Sequence, residues 1–254
     1  MYLRAYFPAL VGLCSILAVA GLAQAAPPST LQVGRFGQVT LYHGDNRQQP
    51  LVLFVSGDGG WNLGVVDMAK ALAGLGAVVV GIDIVHYLHQ LEQTQGECDD
   101  VAGDFAELGR VVRQRLQLPQ TPLLLVGYSS GATLVYAVLA QALPGTFGGA
   151  ISMGFCPDLP LRKPLCRGSG LAFTQGPKGK GYSFLPAKTL QQPWIAFQGT
   201  IDQVCDAGTV EHYVDQVKGA RLVLLPKVGH GFSVQRNWMP QFKDAFNRLQ
   251  TAPR

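Results

Sequence analysis

The chain has 254 residues, 48% of them hydrophobic and 14% charged, with a formal net charge of +4. This balance excludes a disordered polar chain and leaves room for one domain with its own core. The small positive excess gives no basis for a nucleic-acid partner.

In chain order, residues 1–25 read as a secretory signal. Arg4 is the one early charge, an apolar run extends from Ala5 to Leu22, and Ala23-Gln24-Ala25 has the small-x-small form of a cleavage site. An uncleaved anchor is the competing reading. Cys14, preceded by Leu13, does not suit a lipoprotein site and is expected to leave with the signal. Residues 26–30 read as a linker, residues 31–43 as one or two edge strands, and Asp45 to Gln49 as a polar turn. Leu51 to Val55 is a continuous apolar run, as expected of a strand covered on both faces. It leads into Ser56-Gly57-Asp58-Gly59-Gly60-Trp61. A helix follows, with Val65, Met68, Ala69, Leu72 and Leu75 at helical spacing, closed by Gly74 and Gly76. Ala77 to Ile84 is the next strand, residues 85–96 read as a loop, and Asp99 to Leu118 as an amphipathic helix.

Leu123 to Val126 is a short buried strand that opens into Gly127-Tyr128-Ser129-Ser130-Gly131, and a helical run extends from Ala132 to Leu143. G-x-S-x-G between a strand and a helix is the pattern of a nucleophile elbow. The glycines are needed because so sharp a turn has no space for a Cβ on either side of the serine. The serine then stands at a helix N-terminus, where free N–H groups favour developing negative charge. Further strands are expected at Gly149 to Phe155, Trp194 to Gln198 and Arg221 to Leu225. Helices are expected at residues 207–218 and from Trp238 to Leu249. Strands alternating with helices imply right-handed crossovers and a mostly parallel sheet, in an α/β fold of the α/β-hydrolase type. Residues 156–191 are rich in Pro, Gly and basic residues and read as a lid-like insertion.

The order Ser129, Asp202, His230, each after a predicted strand, is the α/β-hydrolase order of a catalytic triad. Strand ends in such a sheet share one edge, so residues distant in sequence converge there. His230 would take the proton of Ser129, and Asp202 would hold the imidazole. His230 is the one of five histidines that follows the last strand between glycines. His86 and His89 in a loop, His212 on a helix and His43 in an edge turn read as structural or solvated. Asp206 and then Asp158 are the alternative acids. The oxyanion hole is assigned to the N–H groups of Ser130 and Asp58, with Gly57 or Gly59 in place of Asp58 if the register differs. Gly57, Gly59, Trp61 and Tyr128 are the expected substrate contacts. Neither a metal nor a cofactor is required.

These residues resemble the VirJ family, which includes the C-terminal domain of AcvB. Ser56-Gly57-Asp58-Gly59-Gly60-Trp61 carries the likeness most specifically, and Gly127-Tyr128-Ser129-x-Gly131 supports it. The resemblance implies a periplasmic protein linked to virulence and type IV secretion. It also implies hydrolysis of aminoacyl-phosphatidylglycerol, with the phospholipid as substrate and secretion components as possible partners. The longer members carry an extra N-terminal domain, which puts partner contacts in question. Ser130 is smaller than the residue expected there, which puts pocket size in question. Rival readings are a general carboxylesterase or lipase and a non-catalytic accessory of a secretion apparatus.

Beyond Cys14 the chain has Cys98, Cys156, Cys166 and Cys205. An even number in an exported chain suggests disulfides, inert buried thiols being the alternative. Three connectivities are open. Cys156 and Cys205 each follow a predicted strand at the active-site edge and are expected to come within bridging distance. Residues 156–191 are expected to meet the membrane surface through Arg162, Lys163, Arg167, Lys178, Lys180 and Lys188. Leu159, Leu161, Leu165, Leu171, Phe173, Tyr182 and Phe184 would offer apolar contact.

Overall fold

A computed structural model of the protein describes residues 27–43, 50–121, 123–188 and 190–251. The signal segment with Cys14, and the turn at 45–49, lie outside the described residues. In chain order the elements are strands β1 (Ser29–Val33), β2 (Gly37–Tyr42) and β3 (Leu51–Val55), helix α1 (Leu63–Gly74), strand β4 (Val78–Ile82), helices α2 (Ile84–Glu92) and α3 (Val101–Leu116), strand β5 (Leu123–Tyr128), helix α4 (Ser130–Gln141) and strand β6 (Gly149–Met153). Three short strands follow, β7 (Asp158–Leu159), β8 (Phe173–Gln175) and β9 (Tyr182–Phe184). The chain ends in β10 (Trp194–Gly199), α5 (Ala207–Val214), β11 (Ala220–Leu225) and α6 (Met239–Thr251).

Eight strands form one sheet in the order β1-β2-β4-β3-β5-β6-β10-β11. β1 and β2 pair antiparallel, β2 pairs antiparallel with β4, and the other pairs are parallel. Successive side chains of a strand point to opposite faces, and this splits the apolar runs into two cores. Leu51, Leu53, Val55, Val80, Leu125 and Ala196 face α2, α3, α4 and α5. Val52, Phe54, Val79, Val126, Ile151 and Phe197 face α1 and α6. A continuous apolar run is thus two half-buried faces, each sealed by helices.

Three stretches differ from the sequence reading. Ser29 and Thr30 lie in β1, not in a linker. Residues 84–92 form α2, not a loop, so His86 and His89 are helical. Asp83 starts that helix by accepting the amides of Val85 at 2.8 Å and His86 at 3.2 Å. Residues 156–191 contain a second, antiparallel sheet ordered β7-β9-β8. Leu159, Leu161, Leu165, Leu171 and Phe184 are buried in the main core, so these side chains do not present an apolar surface to a membrane. A disulfide from Cys98 to Cys166 ties the segment down. Buried Gln141 ties it again, donating to Asp99 O at 3.0 Å and to Cys166 O at 2.7 Å. Lys163 is also internal: it pairs with Asp99, which is 4% exposed, and bonds Thr94. Arg162 pairs with Glu92 and Arg167 lies over the Phe173 ring, whereas Lys178, Lys180 and Lys188 are exposed.

Candidate active site

The parallel strands end on a common edge, and β5 ends there in the glycine-flanked turn. Ser129 has φ 55° and ψ −125°, a conformation an L-residue adopts only when its surroundings enforce it. The enforcement is steric. A Cβ on Gly127 would lie 2.1 Å from Gly131 O, and one on Gly131 would lie 2.3 Å from Ser56 O. Ser129 N–H donates to Met153 O of β6 at 2.9 Å. The serine is thereby lifted out of the sheet at the start of α4.

His230 comes from the loop after β11 and Asp202 from the loop after β10. His230 Nε2 is 2.9 Å from Ser129 Oγ, and His230 Nδ1 is 2.8 Å from Asp202 Oδ2. A carboxylate only accepts, so Nδ1 carries the proton and Nε2 of the neutral ring accepts from the hydroxyl. The loop of His230 is held by Phe232, which is 2% exposed and packs edge-on to Trp238. Trp238 Nε1–H also donates to Phe232 O at 2.8 Å. The backbone of Gly154 backs the imidazole: a Cβ there would lie 3.2 Å from the ring.

The Asp202 side chain is wholly shielded from solvent. Its Oδ1 accepts the amides of Val204 at 2.8 Å and Cys205 at 3.0 Å, and its Oδ2 accepts Gln198 Nε2–H at 2.9 Å besides His230. Burial alone would raise its pKa. The Cys205 amide, His230 and the Val204 amide outweigh burial and hold the carboxyl below the usual range. The disulfide between Cys156 and Cys205 closes the same corner, with a Cα–Cα distance of 5.5 Å. The expected bridge is therefore present. Among the described residues the ligand-type atoms of Asp202, Cys205 and His230 lie within 4.8 Å of one another. With Cys205 in a disulfide, no thiolate remains to complete a metal set.

The alternative acids are engaged elsewhere. Asp206 caps α5, accepting the Thr209 amide and hydroxyl at 2.8 Å each. Asp158 accepts the hydroxyl of Ser183.

The loop after β3 is packed on the serine: a Cβ on Gly57 would lie 2.9 Å from Ser129 Cβ and 3.2 Å from Tyr128 Cδ1. Among the described residues no acceptor takes the amide hydrogens of Asp58 or Ser130, whereas Gly60 N–H donates to Gly57 O. Gly59 belongs to a turn closed by Asn62 Nδ2–H on Gly59 O at 2.9 Å. Trp61 is not gathered to the serine. Its indole N–H bonds Tyr42 at 3.3 Å, and its ring meets Phe54 and covers Gly81, where a Cβ would clash at 2.0 Å. Its role is to pack loop on sheet. Tyr128 lies beside the imidazole, ring centroids 5.8 Å apart, and burial, then Asp202 and Asp58, raise its phenol pKa.

Gln198 is a further residue of the site, not among those expected from the sequence. It is fully buried, and its Nε2 donates to both Asp202 Oδ2 and Cys205 O. Its signal was present: one amide at the end of the apolar strand Trp194-Ile195-Ala196-Phe197.

A mostly parallel eight-stranded sheet with a serine lifted from the end of β5 defines an α/β-hydrolase fold. The solved structures similar to the chain share it. Est1E from Butyrivibrio proteoclasticus aligns with a TM-score of 0.60 and 12% identity, over 90% of this chain and 100% of that one. Dienelactone hydrolase from Anabaena variabilis ATCC 29413 aligns at 0.61 and 19%, over 89% and 99%. An alpha-beta serine hydrolase homologue from Coxiella burnetii aligns at 0.56 and 20%, over 89% and 97%. No curated protein matches the chain. Residues 49–153 match the family described as "Bacterial virulence protein (VirJ)", the family that the Ser56–Trp61 loop and the Ser129 turn within that span resemble.

Proposed function

We propose that this protein is a serine ester hydrolase. The observation that carries the reading is the continuous hydrogen-bonded row from Ser129 through His230 to buried Asp202. Ser129 Oγ attacks the ester carbonyl as its proton passes to His230 Nε2. The tetrahedral oxyanion is met by the N–H groups of Ser130 and Asp58. The C–O bond then breaks, and the alkoxide leaves with the proton from His230. A water, deprotonated by the same imidazole, cleaves the acyl-enzyme and restores Ser129.

Within that class we propose aminoacyl-phosphatidylglycerol as the substrate, cleaved to free amino acid and phosphatidylglycerol at the outer face of the inner membrane. The VirJ match supports this reading. So do two disulfides, which suit an oxidising compartment. Among the described residues no helix is long and apolar enough to cross a membrane. Exposed Lys178, Lys180 and Lys188 would meet anionic headgroups, and Ile201 and Val204, exposed on either side of Asp202, would meet acyl chains. A general carboxylesterase is the second reading, favoured by the likeness to esterase structures such as Est1E. Turnover of a panel of short acyl esters and aminoacyl lipids separates the two. Failure of a fluorophosphonate to label Ser129 would leave only a non-catalytic role, such as a secretion accessory.

A further inference from the structure

Asp58 occupies an electrostatically awkward place. Its neighbour Gly57 is packed on Ser129 Cβ, so its own backbone borders the point where an oxyanion would form. Its side chain is exposed, and none of the ion pairs among the described residues includes it. Tyr128, next to the imidazole, senses the charges of Asp202 and Asp58. Asp202 is neutralised in function by His230, but Asp58 has no such counterpart. A bare carboxylate beside a developing oxyanion opposes the transition state. That opposition vanishes when the substrate brings a cation to the same corner.

We propose that Asp58 is a specificity residue that receives a substrate ammonium group on the carbon next to the scissile ester carbonyl. The proposal rests on the esterase reading above. It makes the amino group of an aminoacyl ester a requirement set by charge, and it disfavours neutral acyl esters of equal size. The carboxylate then orients the acyl part through the ammonium, and the ammonium offsets the repulsion between Asp58 and the oxyanion.

The test uses two glycerol esters of equal shape, alanyl and isobutyryl, with release of the acid followed by chromatography. In the wild type the alanyl ester is preferred, and the preference shrinks as salt rises. In Asp58→Asn, kcat/KM for the alanyl ester falls about tenfold or more while that for the isobutyryl ester rises several-fold, as expected for removing one charge near the surface of a site. Asp58→Glu keeps the wild-type preference, which separates charge from folding. Equal change on both esters in Asp58→Asn, or wild-type turnover without charge preference, overturns the proposal alone. Turnover of neither ester by the wild type, with no fluorophosphonate labelling, overturns the esterase reading and this proposal with it.

Discussion

Replacing Gln198 by Leu separates stability from catalysis at this site. Gln198 donates to a buried carboxylate at 2.9 Å, while its own Oε1 is buried without a partner among the described residues. A hydrogen bond to a charged group contributes about 1.5–3 kcal/mol, and an unsatisfied buried acceptor costs about 1–3 kcal/mol. Leucine removes both terms and also the bond from Gln198 Nε2 to Cys205 O at 2.6 Å, a further loss of about 0.5–1.5 kcal/mol, so the net loss of stability at pH 7 is within about 3 kcal/mol. Asp202 loses one of its four donors, and its pKa rises. Because the folded pKa is depressed, its stabilisation is present above the unfolded value and is lost as pH falls through the folded value. Raising the folded pKa moves that loss to higher pH. The assay is a pair of melting curves, at pH 7 and pH 4, for the wild type and the variant, beside short-ester hydrolysis at pH 7. An equal drop in melting temperature between pH 7 and pH 4 for the two proteins would refute the role given to Gln198. So would a collapse in melting temperature at pH 7.

Ser129→Ala lowers ester turnover by about 10⁴-fold with the circular dichroism spectrum unchanged, because only the hydroxyl is lost; near-normal hydrolysis by the purified variant contradicts the assignment. Peptide mapping without reduction recovers the pairs Cys98–Cys166 and Cys156–Cys205. The Cys156→Ser, Cys205→Ser double variant loses up to about 4 kcal/mol by loop-closure entropy for a separation of 49 residues. Its turnover falls further than that of the Cys98→Ser, Cys166→Ser variant, since only the former frees the loop of Asp202. Lys163→Met leaves buried Asp99 unpaired and destabilises by about 3–5 kcal/mol, whereas Arg162→Gln, at an exposed pair, changes stability by less than about 1 kcal/mol; equal urea midpoints for the two variants rule this out.

The parallel strands of the main sheet and helices α1, α3, α4, α5 and α6 were legible because apolar runs, glycine pairs and helical spacing are local signals, whereas α2 and the short strands β7, β8 and β9 were not. The elbow was legible for the same reason: Gly127 and Gly131 record a lack of space in the turn itself. The order Ser129, Asp202, His230 followed from strand ends sharing an edge, a rule of the parallel sheet and not of any one residue. Other features depend on partners far along the chain. Whether Asp202 or Asp206 faces His230 is a matter of one turn after β10, decided when Gln198 and the Val204 and Cys205 amides capture Asp202 and Thr209 captures Asp206. Trp61 reads as a ligand contact beside the glycines, yet Gly81, twenty residues on, opens the slot that receives its ring. The leucines of residues 156–191 lack periodicity because they fill gaps over α4 from short strands and turns, so no repeat could mark them as core. Lys163 differs from Arg162 only through Asp99, buried far away in sequence. Local sterics write themselves into short motifs, whereas burial and charge pairing are fixed by which distant segments the fold brings together.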